Sequence, residues 1–304
     1  MFFHQAGDIL FMKGLSRKMI VTGGVPVNLL FAIDKGFIDL FLNCIQSIVT
    51  HGGDHAYAAY ILHSDLDEAA MGAISQAVGN SVDCRFIAVD PALFAGFPES
   101  RRYPLQIYYR LAAPLLLPGH LDRILYLDVD TIVVNPLDPL YEMDFAGAWY
   151  IACTHTREFL TRFNQARLGV KKDVPYINTG VMMLNLPELR KKLRMDDIRR
   201  YASERMHTFI LPDQDIITAL YGENVKLADT MRYNLSDRIL ALYNADPKNE
   251  KVDLEWVRAN TVIIHYCGKN KPWKDGYIGI LGGFYRELCL SHPRGCSAER
   301  GRSD

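Results

Sequence analysis

Two aspartates that follow a buried strand carry the first chemical signal in this sequence. Asp128 and Asp130 come directly after the apolar residues 124–127, and one residue separates them. In an open α/β sheet, ligands bind beyond the carboxyl ends of the strands. On extended backbone this spacing places both carboxylates on one face, where they repel each other unless a cation binds between them. Mg²⁺ or Mn²⁺ suits such oxygen ligands and stabilises a departing diphosphate. The plain alternative is a pair of solvated turn residues.

A second segment supplies a nitrogen ligand and groups that bind phosphate. His265 follows a predicted strand over residues 261–264, and Gly268, Lys269 and Lys271 come soon after it. A glycine lets the backbone approach a phosphate, and lysines balance its charge. An imidazole beside two carboxylates favours Mn²⁺ over Mg²⁺, because imidazole is a softer ligand. The alternative is a histidine that merely ends a strand in a surface loop, and the glycine and lysines favour the metal site over it.

Three other protein classes compete for the same pattern. In haloacid-dehalogenase-type phosphatases the first aspartate is a nucleophile, but there the pair lies on the first strand and a small residue follows it; here Thr131 and Ile132 follow. Nucleotidyltransferases need a glycine-rich basic loop after the first strand, which residues 34–37 do not supply. A non-catalytic protein that binds sugar nucleotides would be indicated by a lost metal ligand, and none of the three is lost.

Six ordered segments within about residues 27–275 carry a resemblance to a known family: 31–34, 109–111, 125–130, 176–181, 212–215 and 265–273. In these segments the chain resembles glycosyltransferase family 8. The likeness is greatest to the bacterial α-galactosyl- and α-glucosyltransferases of cell-surface polysaccharides such as lipopolysaccharide; glycogenin is more distant. Residues 94–98 are also similar to the galactosyltransferase branch. The resemblance implies a GT-A-type α/β fold, with a mostly parallel central sheet flanked by helices and a helical C-terminal region.

The resemblance also implies roles for individual residues. The implied Mn²⁺ ligands are Asp128, Asp130 and His265. The implied contacts to the nucleotide and its diphosphate are Ala32, Ile33, Asp34, Val129, Gly268 and Lys271. The residues implied to face the transferred hexose are Arg110, Asn178, Asp213 and Gln214, with Gln214 near the reacting anomeric carbon. Gly36 departs from the galactosyltransferase pattern, which has asparagine there.

Several of these residues have a plain structural alternative. Asp34 could cap a helix that begins near Gly36, and Asp213 or Asp215 could cap the helix that follows them. Residues 178–180 could form only a turn. Arg110 is harder to explain in this way, because an arginine on a mostly apolar helix needs an anionic or polar partner.

The family resemblance implies transfer of a hexose from a UDP-sugar, UDP-galactose or UDP-glucose, to a saccharide acceptor of a cell-surface glycan. The anomeric configuration is retained. A retaining hydrolase would use a carboxylate nucleophile, but the residue near the anomeric carbon is Gln214, and an amide is a poor nucleophile. We therefore expect front-face substitution through an oxocarbenium-like ion pair, with UDP leaving from the face that the acceptor enters.

The elements that must position these residues follow from the apolar pattern. Continuous apolar runs predict strands buried on both faces of a parallel sheet, and strands that alternate with helices predict a doubly wound α/β sheet. The predicted strands cover residues 27–33, 57–62, 84–89, 123–127, 148–153, 181–184 and 261–264. The predicted helices cover residues 37–48, 66–78, 105–117, 157–167, 187–206, 215–221 and 253–259.

Composition sets the remaining expectations. The chain has 304 residues, 49% of them apolar, with a net charge of -1, so nucleic acid is not an expected partner. Six scattered cysteines without a CxxC pair favour reduced thiols. No apolar run approaches the length of a membrane span. We expect an N-terminal extension (1–26), a catalytic domain (27–275) and a C-terminal helix and tail (276–304). We also expect a cytoplasmic location, with at most peripheral association at the inner face of the membrane.

Overall fold

The structure is a computed structural model that describes residues 26–100 and 103–292. The predicted N-terminal extension, apart from Pro26, and the tail after His292 lie outside the described residues. The strands are β1 (Val27–Ala32), β2 (Tyr57–His63), β3 (Val82–Ala88), β4 (Arg123–Leu127), β5 (Thr131–Val133), β6 (Tyr150–Cys153), β7 (Asn178–Asn185), β8 (Val225–Leu227) and β9 (Ile263–His265). The helices are α1 (Ile38–His51), α2 (Glu68–Val78), α3 (Tyr109–Leu116), α4 (Asp138–Tyr141), α5 (Glu158–Leu168), α6 (Leu186–Lys192), α7 (Met195–Arg205), α8 (Pro212–Tyr221), α9 (Thr230–Tyr233), α10 (Asp237–Ala245), α11 (Leu254–Asn260) and α12 (Gly282–Ser291).

The central sheet has seven strands in the order β3-β2-β1-β4-β7-β6-β8. Four of its six pairings are parallel, and β7 runs antiparallel to both β4 and β6. The expected mostly parallel α/β sheet is therefore confirmed. Because β1, β2, β3, β4 and β6 share one direction, their carboxyl ends meet at one edge.

Helices cover both faces of this sheet. Along β1, Leu29 and Phe31 pack with the helix α1, whereas Leu30 packs on the other face with residues of α3 and α8. This double burial explains the unbroken apolar runs that the sequence shows. A third, smaller apolar cluster surrounds the pair β5–β9, which α12 covers.

The two-stranded ribbon β5–β9 lies apart from the main sheet and matters most for the site. Its antiparallel register places Thr131 opposite His265. The backbone N–H of Tyr266 donates to the carbonyl of Asp130 at 2.9 Å. The ribbon therefore joins the aspartate segment to the histidine segment, although more than 130 residues of sequence separate them.

Two sequence expectations are corrected, and one structural alternative is ruled out. The predicted helix 187–206 is two helices, α6 and α7, because the buried Leu193 turns to extended backbone and Asp196 and Asp197 favour a new helix start. Residues 178–180 belong to β7 and are not a turn. Cys44, Cys84, Cys153 and Cys267 have free thiols, but Cys289 is disulfide-bonded, so the expectation of reduced thiols is wrong there. Within the described ranges, no helix is long and apolar enough to cross a bilayer.

Candidate metal and active site

The two aspartates lie at the carboxyl edge of the sheet, as predicted, but a turn brings them together. Asp128 follows β4, and the backbone N–H and hydroxyl of Thr131 both donate to its carbonyl, at 3.1 and 2.8 Å. The segment is therefore not the extended backbone that the spacing suggested. The N–H of Asp128 donates to the carbonyl of Gly180 at 2.8 Å, which fixes the turn against β7.

His265 completes a three-residue cluster with these carboxylates. Its Nε2 lies 3.0 Å from Oδ1 of Asp130 and 3.8 Å from Oδ2 of Asp128. One ligand atom from each residue lies within 4.8 Å of the other two. Two carboxylate oxygens and one imidazole nitrogen form a donor set that suits Mn²⁺.

A buried asparagine sets which nitrogen of His265 faces the carboxylates. The Nδ1 of His265 lies 2.9 Å from Oδ1 of Asn234, and Nδ2 of Asn234 donates to Oδ1 of Asn178 at 2.9 Å. Because the Asn234 amide is oriented by Asn178, its oxygen accepts the proton on Nδ1, and Nε2 keeps a free lone pair. Metal-binding histidines are usually fixed in this way by a hydrogen bond at the other ring nitrogen.

The fit to a cation is supported by an unsatisfied atom. Oδ1 of Asp130 is buried and has no hydrogen-bond donor among the described residues, although Nε2 of His265 is only 3.0 Å away. Two lone pairs at this distance repel unless a cation lies between them. The other oxygen of Asp130 accepts from Nζ of Lys271 at 2.5 Å.

Gly180 on β7 leaves room for this arrangement. A Cβ at this position would lie 2.2 Å from Cε1 of His265 and 2.8 Å from Oδ2 of Asp128. Any other residue at 180 would therefore displace one of the candidate ligands.

Arg110 compensates the charge on the other side of the cluster. Its guanidinium donates to Oδ1 of Asp128 at 2.9 Å and lies 3.2 Å from Oδ2 of Asp213. It also donates to the carbonyl of Thr179 at 2.9 Å and stacks over the ring of Tyr126. The expectation that this arginine has an anionic partner is confirmed. Burial raises the pKa of Asp213, and Arg110 opposes this shift only in part. The two carboxylates raise the pKa of Arg110 despite its burial.

Two cavities flank the cluster. The first, which we call the Asp34 cavity, measures about 220 Å³, and its walls include Ala32, Asp34, Arg110, Asp128, Val129, Asp130 and Lys271. The second, which we call the Gln214 cavity, measures about 390 Å³, and its walls include His155, Thr156, Asn178, Leu211, Gln214, Arg238, His265, Gly268 and Asn270. Four of the six expected nucleotide residues therefore share one cavity, and two of the four expected hexose residues, Asn178 and Gln214, share the other.

Four expected residues depart from this division, and one of them is Arg110, which lines the Asp34 cavity although it was expected to face the hexose. Ile33 is buried behind the Asp34 cavity, with its N–H bonded to the carbonyl of Leu62. Asp34 does cap a short 3₁₀ helix through the N–H of Gly36, at 2.7 Å, yet it also lines its cavity. Asp213 is buried against Arg110 and Thr179 and lines neither cavity. Gly268, with a φ of 91° that favours glycine, lines the Gln214 cavity rather than the side of Lys271.

A comparison with protein families decides the assignment. The profile described as glycosyl transferase family 8 matches residues 28–276, a range that contains the metal cluster and the walls of both cavities.

The chain belongs to glycosyl transferase family 8.

Individual proteins with similar sequences and structures agree with this. The lipopolysaccharide 1,2-glucosyltransferase of Escherichia coli is 25% identical over 269 residues, which are 88% of this chain and 78% of that protein. The galactosyltransferase LgtC, solved in complex with donor and acceptor sugar analogues, is 26% identical with a TM-score of 0.73, over 87% of this chain and 96% of LgtC. An active-site glutamine-to-glutamate mutant of LgtC superimposes with a TM-score of 0.74, also at 26% identity and over 87% and 96% of the two chains.

Membership of family 8 confirms the GT-A-type fold and the glycosyltransferase class. It also excludes the haloacid-dehalogenase and nucleotidyltransferase interpretations. Sequence reasoning assigned no role to Asn234 or to Gly180, although the first orients His265 and the second makes room for it. An isolated asparagine between two short elements gives no pattern to detect. The glycine between Thr179 and Val181 did give a signal, because a glycine inside a strand often marks a close approach.

Proposed function

We propose that this protein is a retaining, Mn²⁺-dependent hexosyltransferase that uses UDP-glucose or UDP-galactose and acts on a saccharide acceptor of a cell-surface glycan, such as lipopolysaccharide. The observation that carries this proposal is the position of the Asp128–Asp130–His265 cluster between two cavities. A sugar nucleotide has its diphosphate between its nucleoside and its sugar. A cation site between two cavities fits that order.

The Asp34 cavity would take the nucleoside side of the donor. Asp34 offers a carboxylate that accepts hydrogen bonds from uracil, and Ala32 and Val129 line the same wall. Lys271 would bind the diphosphate, exchanging its contact with Asp130 for phosphate oxygens. Asp128, Asp130 and His265 would hold the metal ion, which when bound stabilises the negative charge of the departing diphosphate.

The Gln214 cavity would take the hexose and the attacking hydroxyl. Gln214 and Asn178 line it with amides, which orient sugar hydroxyls and stabilise developing positive charge without attacking the sugar. Two carboxylates lie near the hexose side, and both are engaged: Asp213 is held by Arg110 and by the hydroxyl of Thr179 at 2.6 Å. Asp237, which lines the cavity, accepts from the hydroxyl of Tyr277 and from the N–H of Leu281 at 3.0 Å. This arrangement favours a front-face reaction with retention over a covalent intermediate.

The choice of hexose and acceptor rests on the relatives. The compared proteins include a glucosyltransferase of lipopolysaccharide and a galactosyltransferase. Glucose and galactose differ at one hydroxyl, and a few polar contacts in the Gln214 cavity would discriminate between them.

Thermal unfolding with UDP, with Mn²⁺ and with both tests the donor site. A ligand present at about 100 times its Kd stabilises by about 2.7 kcal/mol, which for a chain of this size raises Tm by about 4 °C. We expect this shift only with UDP and Mn²⁺ together. Asp130→Asn should abolish it, whereas Asp173→Asn, which changes an exposed carboxylate outside both cavities, should keep it.

Release of UDP from UDP-glucose and UDP-galactose without an acceptor tests the chemistry. We expect slow Mn²⁺-dependent release from one or both donors, and a loss of roughly a hundredfold or more in Asp130→Asn. Binding of UDP and Mn²⁺ without turnover of any UDP-hexose, with or without saccharide acceptors, would instead support the non-catalytic alternative. No stabilisation by any combination of UDP and metal would remove the donor assignment.

A further inference from the structure

A third cavity, which we call the Tyr243 groove, borders the Gln214 cavity. It measures about 750 Å³, and its walls come from three segments: residues 154–158 after β6, residues 229–231 at the start of α9, and residues 239–249 of α10 and the loop that follows it. None of the residues expected to bind the donor or the metal ion lines this groove. The groove is therefore a separate space, which the donor does not fill.

The groove and the Gln214 cavity meet at one boundary. His155 and Thr156 line both spaces. The helix α10 passes from one space to the other, because Arg238 in its first turn lines the Gln214 cavity, whereas Ile239 and Tyr243 line the groove. A ligand that begins in the Gln214 cavity and is too long for it would therefore continue along α10 into the groove.

Hydrogen bonds to the backbone hold this boundary in place. The guanidinium of Arg238 donates to the carbonyl of His155 at 2.7 Å and so ties α10 to the segment after β6. Nε2 of His155 donates to the carbonyl of Asn234 at 2.7 Å, and the hydroxyl of Thr230 donates to the carbonyl of Thr154 at 3.0 Å. The two spaces therefore keep a fixed relative position, as neighbouring subsites of one binding site require.

The free polar groups of the groove suit a neutral sugar. Tyr243 is half-buried, and neither its hydroxyl nor Oδ1 of Asn249 has a hydrogen-bond partner among the described residues. The carboxylate of Asp246 accepts from the N–H of Lys248 at 3.0 Å and has further lone pairs free. An aromatic ring can cover the apolar C–H face of a sugar, while the neighbouring amide and carboxylate oxygens accept its hydroxyl protons.

The charges of the groove disfavour an anionic ligand. Its walls carry one cation, Arg157, and three carboxylates, Glu158, Asp229 and Asp246. Among the described residues no lysine lines the groove, whereas Lys271 lines the Asp34 cavity on the diphosphate side. A phosphorylated or acidic ligand, including a second sugar nucleotide, would therefore meet an excess of negative charge.

The sizes of the two spaces lead to the same ligand. Cavities that bind small molecules measure about 300–1,000 Å³. The Gln214 cavity, at about 390 Å³, lies near the lower end of this range, and under the proposed function it must hold both the transferred hexose and the sugar that attacks it. The next sugars of a longer acceptor need an adjoining space, and the Tyr243 groove provides one.

We propose that the Tyr243 groove binds the neutral sugar residues behind the reacting end of the acceptor, so that the acceptor is an oligosaccharide and not a single sugar. Tyr243 would stack on one sugar ring, and Asp246 and Asn249 would accept hydrogen bonds from its hydroxyls. This inference rests on the proposed function, because it places the reacting end of the acceptor in the Gln214 cavity.

Transfer from UDP-glucose and UDP-galactose to acceptors of increasing length tests this proposal. The acceptors are the methyl glycosides of glucose and galactose, the disaccharides lactose, maltose and melibiose, and the trisaccharides maltotriose and globotriose. We expect kcat/KM to rise at least tenfold from the best monosaccharide to the best oligosaccharide. The rise should come mainly from a lower KM, because the groove binds sugars that do not react.

Substitutions in the groove should act on long acceptors only. Tyr243→Ala should remove most of the rise, because truncation of a central aromatic contact commonly costs a factor of about ten. Its loss with a methyl glycoside should be small by comparison. Tyr243→Phe keeps the ring and should keep most of the preference. Asp246→Asn should lower kcat/KM for the oligosaccharide about fivefold. Asp173→Asn, an exposed aspartate outside the three cavities, is the matched control and should change nothing.

Two derivatives of the best disaccharide acceptor test the charge of the groove. Its alditol and its aldonic acid both have an opened reducing-end ring, and they differ by one carboxylate. At low salt we expect the alditol to be the better acceptor by about fivefold, because the aldonic acid brings a negative charge near Asp246. Asp246→Asn should narrow this difference.

Four results would overturn the inference: equal kcat/KM for monosaccharides and oligosaccharides in the wild type; release of UDP with transfer to no acceptor of the set; equal proportional losses for short and long acceptors in Tyr243→Ala; or a preference for the aldonic acid. The donor site is scored separately. A wild type that lacks both stabilisation by UDP and Mn²⁺ and release of UDP fails the proposed function. A wild type that shows both but has no preference for long acceptors fails only this inference.

Discussion

The two aspartates of the candidate metal cluster lie in different surroundings, although only one residue separates them in sequence. Asp128 faces the main sheet, where Arg110 and the hydroxyl of Tyr126 both donate to its Oδ1 at 2.9 and 2.8 Å. Asp130 faces the β5–β9 ribbon, where one oxygen meets Lys271 and the other has no donor among the described residues. The first carboxylate is neutralised by a buried arginine, whereas the second is neutralised by a lysine on a loop.

This difference indicates that the two carboxylates have different roles. The Asp128 side is rigid, because Arg110 is buried and joins α3, β4, β7 and α8 through its contacts with Asp128, Thr179 and Asp213. The Asp130 side can change partners more easily, because Lys271 lies on a loop and its side chain is partly exposed. Under the proposed function, one ligand would stay fixed while the charge of the other is re-partnered as the metal–diphosphate binds and leaves. Substitutions on the two sides should therefore have different consequences.

The largest effect on stability should come from Arg110→Met. The change removes the cation and leaves Asp128 and the buried Asp213 facing each other without it. Removing one partner of a buried ion pair typically costs about 3–5 kcal/mol. Urea unfolding should show this loss as a lower midpoint with an unchanged m-value.

The double variant Arg110→Met with Asp213→Leu provides the control. It removes the stranded carboxylate as well, so it should recover a part of the lost stability. A single Arg110→Met variant as stable as the wild type would show that the Asp128 side is not held by this network. Lys271→Met, on the other side, should cost less stability than Arg110→Met, because Lys271 pairs with one carboxylate whereas Arg110 pairs with two.

Gly180→Ala should have an intermediate effect on stability. Position 180 lies against both His265, on the Asp130 side, and Asp128. The added Cβ would lie 2.2 Å from Cε1 of His265 and 2.8 Å from Oδ2 of Asp128, so at least one ligand must move. Overpacking of this kind costs about 1–3 kcal/mol. We also expect loss of the stabilisation by UDP and Mn²⁺. Gly72→Ala is the matched control, since a Cβ there meets nothing within 4 Å and the helix α2 should be slightly stabilised. Wild-type metal binding in Gly180→Ala would contradict the geometry.

The sequence predicted the parallel half of the fold well, for a physical reason. The strands β1, β2 and β4 are buried on both faces, so each is a continuous apolar run between turn residues and can be recognised locally. The position of Asp128 at the end of β4 followed from the same run. Arg110 was recognisable because a charged residue on an apolar helix needs a partner.

The parts that sequence reasoning missed depend on distant contacts. β5 and β9 have three residues each, too few for a periodic signal, and only their pairing forms the ribbon. Leu193 ends α6 by turning to extended backbone, which the uninterrupted helical pattern does not show. Asn234 is defined by its position behind His265, and nothing in residues 230–236 marks it. Local patterns identified the candidate ligands, whereas tertiary packing determines how they are oriented.

The smallest effect should come from Asn234, which acts only on the Asp130 side through His265. Asn234→Ala removes the acceptor for the Nδ1 proton and frees the ring to rotate or to change tautomer, so the affinity for Mn²⁺ should fall about 10- to 100-fold. Asn234→Asp keeps an acceptor for that proton and should restore most of the affinity. Titration of Mn²⁺ in the presence of UDP measures the difference, and the melting temperature without ligands separates it from a general loss of stability.

Equal losses of metal affinity in the alanine and aspartate variants would show that Asn234 serves the packing of β9 and not the orientation of His265. The loss in Asn234→Ala together with recovery in Asn234→Asp would mean that the fold controls this side of the cluster through the imidazole, as it controls the other side through Arg110.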